Sequence, residues 1–336
     1  MNRSHRLAGG AVARCRRLVE PALREAIAAL HPWGARMSAY ALGWSDADGR
    51  PDTGLGGKGV RPAIAMLAAE AVGGTAESGL PGAVAVELVH AFSLAHDDII
   101  DHDERRRHRD ALWKAYGVGP ALVTGDALLA LAVSRLVGFP EAMRYLSAAL
   151  IELVNGQTAD MAFENRPWRG ARAVTIDEYT AMVAGKTGSL LGAAAATGAC
   201  LGGAPELGER MWEVGRDLGV AFQIADDMLG IWGDPHVTGK PVYNDLRRDK
   251  KTIPVLAALA ADHPAARTLS AMLSDGLSGE DAVRHAARLV EEAGGRAAAQ
   301  ALAERHVTAA LAVLDECLPE ATELRALCDS LANRIH

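Results

Sequence analysis

Apolar residues recur at helical spacing along almost the whole chain, and no stretch shows a convincing alternation of period two. A chain patterned this way buries its apolar stripes only by packing helix on helix. The spacing predicts helices over Ala11–Leu30, Arg61–Val72, Ala83–Asp101, Pro120–Val137, Met143–Glu164, Ile176–Leu201, Leu207–Ile231, Ile253–Ala261, Ala265–Leu273, Gly279–Ala293 and Gly295–Leu314, with a last one near Glu320–Arg334. Hydrophobic residues make up 49% of the chain but aromatics only 4%, with Ala, Leu, Val and Gly dominant, which favours closely packed helices over a β-sandwich. Three loops are expected: Gly34–Gly59, rich in Gly, Asp and Pro; His102–Ala111, a charged turn; and Gly233–Thr252, a polar segment carrying Lys240, Asp245, Lys250 and Lys251. With 336 residues, no internal repeat and no low-complexity linker, one all-α domain spanning 1–336 is the simplest account.

Composition excludes several classes. The net charge of −7 argues against general nucleic-acid binding. No uninterrupted apolar run approaches the ~20 residues of a membrane span, so a membrane protein is not expected. The basic N-terminus is followed by no apolar core or cleavage site of a secretory signal. Cysteines 15, 200, 317 and 328 form no CxxC pair and fit a reducing cytosol better than a disulfide framework or a zinc site, so a cytoplasmic location is expected.

Two aspartate clusters interrupt the apolar pattern: His96-Asp97-Asp98-Ile99-Ile100-Asp101 and Ala225-Asp226-Asp227-Met228-Leu229-Gly230. Carboxylates this dense on an apolar helix repel one another and lose hydration, so they call for cations. Residues four apart share a helix face, which puts Asp97 and Asp101 one turn apart with converging oxygens. Two such faces suit hard divalent ions with positions left open for a phosphate-bearing ligand, a Mg²⁺–diphosphate site. A single Asp-Asp pair is usually solvated surface; two in apolar contexts, each joined to basic residues, are not.

The basic residues complete the pattern. Gly56-Gly57-Lys58-Gly59-Val60-Arg61-Pro62 sets two cations three residues apart beside glycines that allow close approach to an anion. Arg105-Arg106-Arg107 follows the first cluster, where an arginine clamps a phosphate whose other oxygens bind Mg²⁺. Ala184-Gly185-Lys186-Thr187-Gly188 puts a cation into an apolar helix, read either as a lysine snorkelling to solvent or as a cation at a helix kink with the Thr187 hydroxyl facing a cavity. Lys240 adds a further cation in the polar loop, and Gln223, one turn before the second cluster, needs a partner if buried.

These residues resemble the trans-polyprenyl diphosphate synthases, the head-to-tail isoprenyl chain-elongation enzymes. The resemblance runs from about Gly56 to Pro254, with a compatible helical part over 255–336, and rests on GGKGVRP, ELVHAFSLAHDDIID, the Arg pair before His108, GDALLALA, GQTAD, AGKTGSLLG, FQIADDMLG and GKPVYNDLRRDKKTIP in that order. It implies an isoprenoid synthase-type helical bundle around a deep central cavity. It implies that Asp97, Asp98 and Asp101, with Asp226 and Asp227, bind about three Mg²⁺ ions on an allylic diphosphate of C5–C15. Arg106, Lys186 and Lys240 would complete that site; Lys58, Arg61, His90 and Arg107 match the positions for isopentenyl diphosphate; Thr187 and Gln223 match positions that stabilise the allylic cation. In the implied reaction the allylic C–O bond ionises, the cation alkylates isopentenyl diphosphate, and the leaving diphosphate takes the proton, so no side-chain base is assigned.

The chain departs from the family pattern at three places. The second motif ends in Gly230 where Asp is usual, a gap Asp234 would fill if the helix continued through it; Gly59 replaces Lys or Arg; His108 and Asp110 replace Gly and Pro. Phe92, five residues before Asp97, faces down the growing product in the family, and an aromatic there with an uninserted first motif points to a C20 product, geranylgeranyl diphosphate, with C15 and C25 left open. A class I terpene cyclase on the same fold is the competing activity, but four Phe, six Trp and five Tyr offer few aromatic faces for a cyclising cation. A non-catalytic subunit that modulates a synthase also competes, as does a His-Asp metal hydrolase built on His90 and His96-Asp97. Long apolar helices, and the family habit, predict a homodimer.

Overall fold

The computed structural model describes residues 3–52, 57, 59–106, 109–234 and 242–332; Lys58, Arg107, His108 and Lys240 lie outside them. Helices carry nearly all of it. Where they begin, the local chemistry is legible. The helix Ile176–Val183 starts at Thr175, whose hydroxyl accepts from the Glu178 N–H while the Glu178 carboxylate accepts from the Thr175 N–H, a reciprocal capping box. Pro32 and Pro264 stand at first helical positions behind His31 and His263, whose rings accept a backbone N–H each.

The chain divides into two compact units, each assembled from separate stretches: 1–147, 192–212 and 316–327 form one, and 148–191, 213–315 and 328–336 the other. In the first unit, α1 (Arg3–Ala28), α2 (Pro32–Ala41), α3 (Val60–Ala71), α4 (Leu80–Ile100), α5 (Leu112–Tyr116) and α6 (Val118–Leu136) pack around small residues. All of Pro62–Ala69 is buried. A Cβ at Gly198 would overlap the Ala65 carbonyl oxygen and meet Ala68 Cβ at 2.8 Å, so the backbones touch there without intervening side chains. This is the close helix approach that a Gly/Ala-rich, ring-poor composition predicts.

The second unit buries large side chains in its core. Phe163, Trp168, Met182, Ile224, Ile231, Ile253, Leu269, Val283 and Leu289 belong to one cluster. Within Glu280–Glu292 the buried residues are Val283, Ala286, Ala287, Leu289 and Val290, the i, i+3, i+4, i+7 stripe of an amphipathic helix. Further long helices run over Pro140–Glu164 (α7) and Gly208–Trp232 (α10).

Several expectations need correction. The loop foreseen over Gly34–Gly59 is helical to Ala41, because the His31 cap and Pro32 launch a helix that Gly34 does not break. The charged turn His102–Ala111 holds a two-residue antiparallel hairpin, Arg105–Arg106 (β1) with Arg109–Asp110 (β2). It is pinned by the Tyr40 hydroxyl donating to the Asp110 carbonyl at 2.6 Å and by Arg109 stacked 4.1 Å over the Tyr40 ring. The single helix foreseen over Ile176–Leu201 is three pieces: α8 (Ile176–Val183), a π-helical turn over Ala184–Gly188, and α9 (Ser189–Leu201). Asn244–Arg247 adds a short helix, α11, within the polar segment. α6 is long and apolar enough, by length and composition alone, to cross a membrane; Asp126 and Arg135 interrupt its apolar sequence, and Ala121, Thr124, Gly125, Leu128, Ala132 and Leu136 are buried.

Candidate active site

In the first unit the aspartate cluster closes α4. Asp97 and Asp98 are adjacent, so a 3.6-residue period sends them to different faces. Asp97 is half-buried; Asp98 is fully buried, and both of its oxygens accept from the Arg106 Nε at 2.8 and 2.9 Å, with Arg106 Nη2 2.6 Å from Oδ1. Burial raises the Asp98 carboxyl, and the Arg106 pairing opposes it. Burial alone would lower Arg106, but the same pairing more than offsets it and holds the guanidinium charged. Asp101 caps the helix, its N–H bonding the Asp97 carbonyl at 2.8 Å. The hairpin therefore serves to bring Arg106 back onto the carboxylate eight residues before it.

Arg61 and His90 are brought together from α3 and α4: Arg61 Nη1 donates to His90 Nε2 at 3.2 Å. A guanidinium cannot accept, so Nε2 of His90 is the acceptor in this pair. Gly59, which replaces a more usual cation, has φ 67°, a left-handed backbone that favours glycine, at the cap of α3. Phe92 is half-buried, its ring edge-on to His96 with centroids 4.8 Å apart. His96 in turn reaches α6, with Nε2 3.2 Å from the Leu122 carbonyl and 3.8 Å from Asp126. That engagement turns His96 to helix packing and not to a His-Asp metal centre. A Cβ at Gly125 would overlap the His96 ring, so glycine makes the seat for it.

In the second unit, the π-helical turn carries Lys186 and Thr187. An extra residue in the turn re-aims the side chains that follow it. Glycines let α7 and α10 close on it: a Cβ at Gly156 would overlap the Lys186 nitrogen, and one at Gly219 would overlap Gly188. Lys186 Nζ donates to Asp160 at 2.6 Å. Thr187 Oγ1 donates to Gln223 Oε1 at 3.1 Å, and Gln223 Nε2 donates to Asp227 Oδ1 at 3.1 Å. Asp227 Oδ2 accepts from the Tyr179 hydroxyl at 2.9 Å and the Ile253 N–H at 3.3 Å. Burial pushes the Asp227 carboxyl up to about 7, against the lowering effect of the Gln223 and Tyr179 hydrogen bonds. Asp226, by contrast, is exposed.

The paired aspartates thus fall into two kinds. In each cluster the first residue is the more exposed, and the second is buried with both oxygens accepting from protein donors. Sequence spacing assigns no role to Tyr179 or to Asp245, whose carboxylate fills the space beside Gly230, and GQTAD is the only signal for Asp160. The expected substitute for the missing last aspartate does not form, because α10 ends at Trp232 and leaves Asp234 beyond it. Lys58, Arg107 and Lys240 lie outside the described residues. The donor set is hard oxygen without thiolate, which fits Mg²⁺. Among the described residues no three His, Cys, Asp or Glu side chains converge as a closed cage. Mg²⁺ is suited to that arrangement, since it keeps several waters and binds through one or two carboxylates plus phosphate oxygens.

Comparison with known proteins agrees. A family model for polyprenyl synthetase matches residues 52–290. The chain is 44% identical over 330 residues to a (2E,6E)-farnesyl diphosphate synthase of Mycobacterium bovis, covering 94% of this chain and 90% of that one. It is 41% identical over 323 residues to a geranylgeranyl diphosphate synthase of Mycobacterium tuberculosis, with the same coverage of 94% and 90%. A crystal structure of polyprenyl synthetase from Streptomyces coelicolor superposes with a TM-score of 0.89 at 43% identity, over 96% of this chain and 98% of that one. The matched segment includes both aspartate clusters, the Arg61–His90 pair and the lysine-bearing turn, and the chain belongs to the polyprenyl synthetase family of trans-prenyltransferases, with its all-α isoprenoid synthase fold.

Proposed function

We propose that this enzyme condenses isopentenyl diphosphate head-to-tail with an allylic diphosphate of C5–C15, and that its main product is geranylgeranyl diphosphate (C20). The observation that supports the reaction is that each cluster sets a more exposed aspartate next to a buried one whose oxygens accept from protein donors, Arg106 in the first and Gln223, Tyr179 and the Ile253 N–H in the second. Asp97, Asp101 and Asp226 would hold Mg²⁺, about three ions in all, with the allylic diphosphate, while Asp98 and Asp227, also expected among the ligands, have both oxygens engaged by protein donors. Asp98 orients Arg106 toward that diphosphate, and Asp227 orients Gln223. Bound Mg²⁺ supplies the Lewis-acid charge that lets the allylic C–O bond ionise.

The chain's own residues do the rest. Lys186, set by Asp160, and Lys240 bind the departing diphosphate. Thr187 has its hydrogen committed to Gln223, which leaves its oxygen lone pairs for the developing allylic cation. Arg61, with His90 behind it, and Lys58 and Arg107 bind the diphosphate of isopentenyl diphosphate. A C–C bond forms between C1 of the allylic cation and the terminal alkene carbon, and the departing diphosphate takes the proton that is lost. Holding both substrates in register favours this over capture by water.

Product length rests on Phe92. Its ring is braced by His96, itself seated over Gly125, and a braced ring makes a firmer floor than a free one. The two relatives named above differ, one a farnesyl and one a geranylgeranyl diphosphate synthase, so product analysis decides. With isopentenyl diphosphate, Mg²⁺ and each allylic primer, the wild type should give C20 and Phe92→Ala should give C25 or longer. A C15 end product, or an unmoved product spectrum in the variant, would overturn the assignment to Phe92.

A homodimer is proposed on the exposed apolar side of α6, where Val118 is 46%, Leu122 40% and Val123 64% exposed. Residues of that kind, side by side on one helix, mark an interface. A cytoplasmic location is proposed with it, in keeping with Cys15, Cys200, Cys317 and Cys328 as thiols outside any disulfide.

A further inference from the structure

Along the outward face of α1 runs a line of arginines. The helix buries Ala8, Ala11, Cys15, Val19 and Leu23, the seam by which it packs on α3 and α4. Opposite that seam lie positions 6, 10, 13 and 17, spaced by four, three and four residues. Arg6 and Arg17 are about three turns apart, so they leave the helix within about 20° of each other and about 16 Å apart along its axis. Gly10 and Ala13 stand between them; all four residues are exposed, and a Cβ at Gly10 would meet nothing within 4 Å. Arg16 is exposed next to Arg17, and Leu7, 40% exposed, next to Arg6.

The charge of this face is concentrated and largely unpaired. Residues 1–17 hold five arginines and no aspartate or glutamate, in a chain of net charge −7. Arg14 is neutralised by Glu70 at 2.6 Å and by Glu323, and Arg24 by Glu20 at 2.8 Å. Among the described residues Arg6, Arg16 and Arg17 make no ion pair. Unpaired like charges on one face repel, and an external array of anions relieves that repulsion.

We propose that the outer face of α1 docks the enzyme on an anionic lipid surface, with Arg6, Arg16 and Arg17 on the phosphate headgroups and Leu7 at the acyl boundary. Gly10 and Ala13 put no bulk between the arginines, so the helix lies flat, and the guanidinium fork matches phosphate oxygens. A chain of net negative charge is otherwise repelled by such a surface, so the attraction is local to this face. Lipid suits the face better than nucleic acid: three cations displace few counterions from a duplex, whereas a lipid surface also takes the exposed leucine. Docking goes beyond the proposed reaction and does not depend on it. If that reaction holds, its amphiphilic product is released beside a bilayer.

The test is flotation of the full chain, without substrate, on vesicles of phosphatidylcholine alone or with phosphatidylglycerol added. The parent should float with the anionic vesicles only, and added salt should release it. The triple variant Arg6→Gln, Arg16→Gln, Arg17→Gln should bind about a hundredfold more weakly, at about fivefold per arginine, with its melting temperature unchanged. If it melts lower, Arg6→Gln alone is read, at about fivefold. Arg267→Gln, Arg284→Gln, Arg288→Gln, an equal loss of exposed charge in the second unit, should bind as the parent does. A parent that floats with neither vesicle, or equally with both, overturns the proposal. So does equal weakening in the two triple variants, which would make the attraction one of net charge. So does a parent that retards a DNA duplex at concentrations where it leaves anionic vesicles free, which would make the face a nucleic-acid surface.

Discussion

Tyr179 and Asp227, 48 residues apart, make a hydrogen bond that no local pattern announces. Tyr179 is buried on α8 and donates to a carboxylate that is itself buried, so removing the hydroxyl strands an acceptor away from water. Tyr179→Phe leaves Asp227 Oδ2 with only the longer bond from the Ile253 N–H. The expected cost is about 1–3 kcal/mol, read as a lower melting temperature, together with slower turnover as Gln223 loses its fixed partner. An unchanged melting temperature would mean that a water takes the place of the hydroxyl. The sequence presented Asp226 and Asp227 as equivalent neighbours. Helix geometry separates them, and that much is calculable beforehand; which of the two faces solvent depends on what packs against α10.

At the scale of the element, the π-helical turn is the feature that sets Lys186. It forms where two glycines, Gly185 and Gly188, allow neighbouring backbones to touch, and Gly156 on α7 meets it. Gly156→Ala should push the turn off α7, at about 1–3 kcal/mol for overpacking. Lys186 would then leave Asp160, and the Michaelis constant for the allylic diphosphate should rise more than stability falls. Kinetics and melting on the same preparation separate the two effects; equal kinetics would show that the close approach does not position Lys186. The start of α8 makes a pH-dependent prediction. Glu178 is held at about 2 by Arg166 and by the Thr175 N–H, below its usual 4.5. A carboxyl depressed in the folded state contributes stability above its unfolded value, and that contribution is lost as pH falls from 4.5 toward 2. Glu178→Gln should therefore flatten the fall of melting temperature across that range, while a parallel shift at all pH values would implicate packing instead.

At the scale of the whole molecule, an apolar side of α6 looks outward. Val123→Glu puts a charge where the proposed dimer would bury a methyl pair. The variant should elute as a monomer in size-exclusion chromatography with light scattering while keeping its helical circular dichroism. A dimer that survives the substitution would move the interface elsewhere. The two compact units each carry their own aspartate cluster and their own cation, Arg106 in one and Lys186 in the other. The contacts described within each cluster are therefore internal to one unit.

The all-α class, most of the long helices and the two carboxylate clusters were legible in the sequence, because a 3.6-residue period and charges set in apolar runs are local signals. Three kinds of fact were decided only by the tertiary structure. Partners far apart in the chain, such as Asp160 with Lys186 and Asp245 with Gly230, meet because glycines and short caps let backbones approach. The π-helical turn replaces regular helix because of what packs around it. The choice between an exposed and a buried aspartate follows from which helix face is covered. Spacing along the chain states what can share a face; only packing states what the face meets.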